Sequence, residues 1–113
     1  MSRRFILAGD WNTARHQGTE RDSRVGREFF ARVHEAGWYD CVWDTRQSEI
    51  RTWFRPGSKL QQDDYVFCDR SLGSSVAEVS VAEDAATELQ LSDHAPLIVE
   101  FDIGPMAIAD QSE

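Results

Sequence analysis

Leu91 to Phe101 reads LSDHAPLIVEF. A serine, an acid and a histidine stand directly ahead of an apolar run. The run reads as a strand, and the polar triplet sits at its mouth. Two readings compete. Either the polar residues of a loop precede a strand by chance, or a rigid strand end holds an acid and an imidazole still for chemistry.

Two other segments share the layout. RRFILAGDWN places Gly9-Asp10-Trp11-Asn12 after a short strand, Phe5 to Ala8. QQDDYVFC places Asp63-Asp64-Tyr65 at the opening of another, Asp64 to Cys68. Both strands are apolar on both faces, the pattern of central strands. WYDCVWD, from Trp38 to Asp44, reads as a strand or an extended approach to one, and Arg51 to Phe54 as another, stopped by Pro56-Gly57. Val76 to Val81 alternates, with Ala77, Val79 and Val81 on one face, as a half-exposed strand does. Thr13 to Ser23 reads as a polar loop. Ser23 then caps a helix whose stripe is Phe29, Phe30, Val33 and Ala36, and Gly37 ends it.

The order is one strand, one helix, then four or five strands, so the fold class is α+β. One mostly antiparallel or mixed sheet with one main helix on one face is expected. A single helix leaves the other face apolar and bare, which is a large sticky patch. A second copy or another chain is expected to cover it.

If the three strand ends are neighbours, Asp10, Asn12, Asp64, Asp93 and His94 converge on one rim. Phosphoester cleavage needs such a set. A divalent cation neutralises phosphate oxygens, and Mg²⁺ prefers a few carboxylates plus water. A carboxylate orients the attacking water, and a second one holds an imidazole near the phosphate. His16 in a polar loop and His34 on the helix read as solvated. Arg51, Arg55 and Lys59 read as a loop with a lesser claim on a phosphate.

The composition agrees. The chain has 113 residues, enough for one domain with one core. Its formal net charge of −8 argues against an unspecific nucleic-acid coat, yet leaves room for a phosphate-cleaving site built from carboxylates. No apolar run nears the ~18 residues a membrane span needs, and Phe5 to Ala8 is too short for a signal peptide. The cytoplasm is the expected compartment. The 2 cysteines, Cys41 and Cys68, match no zinc pattern and read as buried free thiols.

ILAGDWNT, QQDDYVF and LSDHAPLIVEF resemble, in this order, the three C-terminal signatures of the endonuclease/exonuclease/phosphatase superfamily, which has the DNase-I-like fold. GWYDCVWD and TWF resemble the segments that lie between those signatures. The resemblance runs over residues 4–102. It implies a divalent-metal-dependent phosphoesterase, a hydrolase or nuclease using Mg²⁺ or Mn²⁺. By the resemblance Asp10 activates the water and contacts the metal, and Asp93 sits at the metal. Asn12 and His94 bind the phosphate, Asp64 orients His94, and Trp11 packs beneath.

There are departures. Family members are longer, and a metal-binding glutamate lies in their first half. Only four residues precede Phe5 here, so the resemblance covers the C-terminal half alone, residues 1–104, with 105–113 as a flexible tail. Gln61-Gln62-Asp63 replaces the usual basic and hydrophobic residues before Asp64-Tyr65. The expected protein is thus incomplete as a lone chain, paired with itself or with a missing N-terminal half. The alternatives are a catalytically inactive half-domain that binds a partner, and a fragment of a longer enzyme. The substrate is a phosphate ester of open class, and the charge does not favour long nucleic acid.

Overall fold

The structure is a computed structural model. It describes residues 4–11, 20–55, 57 and 60–103, without the side chains of 20–23. Asn12, His16, Lys59 and the 105–113 tail lie outside the described residues.

The centre of the molecule is β3, Asp64–Asp69, buried from Tyr65 onward. It is flanked by β1, Ile6–Asp10, and by β2, Trp38–Asp40, both antiparallel to it. Alternation along β3 sends Tyr65 and Phe67 to one face and Val66 and Cys68 to the other. Tyr65 and Phe67 meet Phe30 and Val33 of α1, Glu20–Glu35, with Trp11, Phe29 and Trp38 around them. Val66, Cys68 and Cys41 meet Leu97, Val99 and Phe101 of β5, Leu97–Phe101, together with Val76 of β4, Val76–Val81. The β4–β5 pair is a separate two-stranded ribbon. The α+β class, the antiparallel pairing and the one main helix are as the sequence predicts, with the sheet divided into two pieces.

Four local readings are corrected. The helix starts at Glu20, so Ser23 lies inside it. Ala36 is exposed past the helix end, and Gly37 stops the chain there with φ 83°. The strand from Trp38 ends at Asp40, because Asp40 Oδ1 accepts hydrogen bonds from the amides of Val42 and Trp43. Those bonds turn the chain into the short helix α2, Trp43–Arg46. Finally, the ribbon slips register between Val76 and Glu78. The extra residue is Ala77, which leaves Val76, not Ala77, on the core side with Val79.

Strand β1 has the sequence of a central strand but sits at the edge of its sheet, exposed along its whole length. Ile6 is 53% and Leu7 40% exposed. The ribbon covers the β3 part of the face opposite α1. Among the described residues, the uncovered part of the sheet is therefore β1, which is narrower than a whole sheet face. No helix among the described residues is long and apolar enough to cross a membrane.

Candidate active site

Asp10 ends β1 and Asp64 begins β3, and the antiparallel register sets them directly opposite each other. Like charges in that position repel, so a cation between them is favoured. His94 supplies one. Its Nδ1 lies 2.7 Å from Asp64 Oδ2, and its Nε2 lies 3.8 Å from Asp10 Oδ2. A carboxylate has no hydrogen to give, so Nδ1 carries the proton in the Asp64 bond. The hydrogen bond to Asp64 raises the His94 pKa, and the negative charges of Asp64, Asp10 and Asp63 add to it against a smaller effect of burial. Burial pushes the Asp63 carboxyl up, with Asp10 and Asp64 adding to it, while its bond from Gln61 Nε2 at 2.8 Å and the His94 charge pull down.

His94 is brought to this rim by the segment from Arg51 to Phe54. The amide of Phe54 donates to Asp93 O at 2.6 Å, the amide of Ala95 donates to Thr52 O at 2.8 Å, and Trp53 forms a β-bridge with His94. This segment is a strap of single bridges, not the full strand its sequence suggests. Thr52 is wholly buried. Its Oγ1 accepts from the amides of Asp63 at 3.1 Å and Asp64 at 3.3 Å. Gln62 is buried too, accepting from Ile50 N and donating to Asp64 O.

Asp10, Asp64 and His94 are thus brought together, and ligand atoms of all three lie within 4.8 Å of one another. Asp93 is exposed and its carboxylate is not in that group. His34 stays exposed on α1, where its carbonyl accepts from Arg70. Arg51 lies over the Phe54 ring, 4.5 Å from its centre, and donates to Trp53 O. Trp11 packs edge-on against Phe67, beneath the rim. Asp40 is buried and serves the turn. Cys41 and Cys68 are buried with their sulfurs 3.6 Å apart, and burial raises both thiol pKa values. A recess of about 310 Å³ opens beside the pair, lined by Ala8, Gly9, Asp64, His94 and Pro96 among others. A larger cavity of about 430 Å³ between α1 and β2 holds none of the three residues.

The donor set suits a hard divalent cation. Two carboxylates offer oxygens, and the imidazole is tolerated by Mn²⁺ more than by Mg²⁺. Thr52 opens TWF and Gln62 lies in QQDDYVF, but the sequence gives neither of them a task at the site.

No protein-family profile matches the sequence. No curated protein matches it either. Solved structures do. One is a variant of the 3′ phosphatase NExo from Neisseria bound to product DNA hairpin, with a TM-score of 0.72 at 21% identity. Another is the 3′-5′ exonuclease NExo from Neisseria meningitidis, with a TM-score of 0.71 at 21% identity. Each match covers 88% of this chain and 45% of the other. The chain carries half of a DNase-I-like fold. Among the described residues β1 is exposed along its length, and Asp10 stands at its end.

The His94–Asp64 bond has a pH consequence. The folded-state pKa of His94 is raised above its value of 6.5. Its contribution to stability is therefore full below that value and is lost as pH rises through the folded pKa. Thermal melts across this range are expected to show the loss in the wild type. In Asp64→Asn the dependence should flatten, and an unchanged slope would separate His94 from Asp64.

Proposed function

We propose that the chain is the C-terminal half of a divalent-metal-dependent phosphoesterase of the endonuclease/exonuclease/phosphatase superfamily, acting on a phosphate ester at a DNA 3′ end. The observation that carries this is the Asp10–His94–Asp64 set at one sheet rim, with the imidazole 2.7 Å from one carboxylate and 3.8 Å from the other. The DNA activities of the two Neisseria structures support the substrate class. Recognition of a chain end also suits a net charge of −8, since few phosphates need be neutralised.

In this reading Asp10 and Asp93 would hold Mg²⁺ or Mn²⁺. The ion would neutralise phosphate charge when bound. Asp10 orients the water for in-line attack and accepts its proton. Asn12 hydrogen-bonds the phosphate. His94, charged and held by Asp64, contacts the phosphate and protonates the leaving oxygen as the ester P–O bond breaks and the water's P–O bond forms. The catalytic residues in this reading are Asp10, Asn12, Asp64 and His94. The two thiols suit a reducing compartment, and we assign the cytoplasm.

A second reading rests on one observation, the 45% coverage of the matched chains. In it the half-domain is inactive alone and works by binding a partner. In both readings β1 is covered by a second copy or by an N-terminal half, and molar mass in solution separates these two.

Substoichiometric Mn²⁺ tests the metal without assuming a substrate. In a ¹⁵N spectrum of the chain, selective broadening around Asp10, Asp64, Asp93 and His94 is expected. Uniform or absent broadening would leave the partner-binding reading in its place.

A further inference from the structure

The working pair, Asp64 and His94, comes from segments 30 residues apart in the chain. Something must set one against the other. Asp64 lies at the first residue of β3, where a strand frays. His94 lies in a loop bridged to the sheet by single bonds. Thr52 bonds to both segments. Thr52 receives the amides of Asp63 and Asp64 on its hydroxyl and the amide of Ala95 on its carbonyl. Its own amide donates to Gln61 O at 3.1 Å.

We propose that the Thr52 hydroxyl is the positioning device of this site: it fixes the main chain at Asp64 relative to the loop that carries His94, and so sets the Asp64–His94 hydrogen bond. A hydroxyl oxygen has two lone pairs, and both are directed at neighbouring amides here. The carbonyl of the same residue anchors the chain one position after His94. Thr52 is thus a common reference for both partners. Its side chain has no freedom to drift, because it is wholly buried and branched at Cβ. Gln62 supports the arrangement from the other side of the same residue, donating to Asp64 O at 3.0 Å. Tyr65 OH in turn donates to Gln62 O at 2.9 Å, which ties the network to the aromatic core.

A purely structural threonine would fix these amides with no consequence for the imidazole. The difference is measurable. The catalytic meaning of the role rests on the phosphoesterase reading, but the readout does not. The Nδ1 proton of His94, held by a carboxylate, is expected at low field in the proton spectrum of the full chain. Thr52→Val keeps the shape and removes the acceptor. Thr52→Ser keeps the acceptor and removes the methyl.

The low-field resonance is expected in the wild type and in Thr52→Ser, and is expected to vanish or broaden in folded Thr52→Val. A valine variant that melts earlier but keeps the resonance would overturn the proposal, since the hydroxyl would then act on stability alone. Loss of the resonance in the serine variant would overturn it too. Should the valine variant not fold, hydrogen exchange of the wild type decides. Slow exchange of the Asp63 and Asp64 amides supports the hydroxyl as their acceptor, and exchange at the rate of an open loop overturns it. Where cleavage is measured, Thr52→Val should lower kcat by up to about 10²-fold, the cost of a misplaced group, with KM little changed. An inactive wild type that still gives the resonance pattern would sink the phosphoesterase reading and leave the positioning role standing.

Discussion

His94→Ala is expected to lower metal-dependent release of phosphate from a 3′-phosphorylated oligonucleotide by about 10²–10⁴-fold, the range for a general acid or base. At about 1.4 kcal/mol per decade this is about 3–6 kcal/mol of transition-state stabilisation. The loss should fall on kcat, because the proton is moved only as the ester bond breaks. The fold should survive, since the bridge between His94 and Trp53 is made by the main chain. Asp10→Asn is expected to be comparably damaging, because its Oδ2 lies 3.8 Å from the imidazole that lines the recess. The decisive comparison is with the double variant. If Asp64 acts by holding His94, as proposed, Asp64→Asn added to His94→Ala should cost nothing further. Additive losses would mean that Asp64 has a task of its own. Unchanged activity in both the His94→Ala and Asp10→Asn variants would place the reaction at another site or in a contaminant.

These three residues were legible because each stands at a strand end in a recognisable short signature. The strand ends converge because β1 and β3 pair in a register that sets Asp10 against Asp64. Asp93 was equally visible in its motif, and its carboxylate lies outside the Asp10–Asp64–His94 group. Thr52 was not legible as part of the site, since the partners of its hydroxyl are backbone amides, which nearly every residue has. The same division runs through the fold. DYVFC is apolar at each inner position and is the buried centre strand. ILA reads alike and is an exposed edge. A strand's composition records how much cover it needs, not whether the cover lies in the same chain. Ala77 continued a faultless alternation and was the bulge residue, because a slip in pairing depends on Phe101 and Glu100 across the ribbon. Asp40 ended a strand through its side chain, an effect that an apolar pattern does not contain.

Phe67→Ala is expected to destabilise the chain by about 3–5 kcal/mol, the usual cost of removing a core aromatic ring. Phe67 is fully buried in the centre of β3. Its ring is edge-on to Trp11 at 5.1 Å, stacked on Tyr65 at 5.7 Å, and within 6.5 Å of Phe29, Phe30 and Trp38. Five aromatic neighbours cannot all close on the space left by one ring, so the upper part of the range applies. A small domain has only about 5–15 kcal/mol to lose, so the urea midpoint should fall steeply and folding at 37 °C should be marginal. Leu7 gives the contrast. It is paired with Phe67 in register and so shares its face of the sheet, but it is 40% exposed. Leu7→Ala should cost under about 1 kcal/mol in the lone chain. The ratio of the two effects locates the core on the helix side of β3 and not along β1. Equal losses would mean that β1 is already covered in solution, by a second copy of the chain. In that case the Leu7→Ala loss should shrink on dilution, whereas the loss from Phe67→Ala should not.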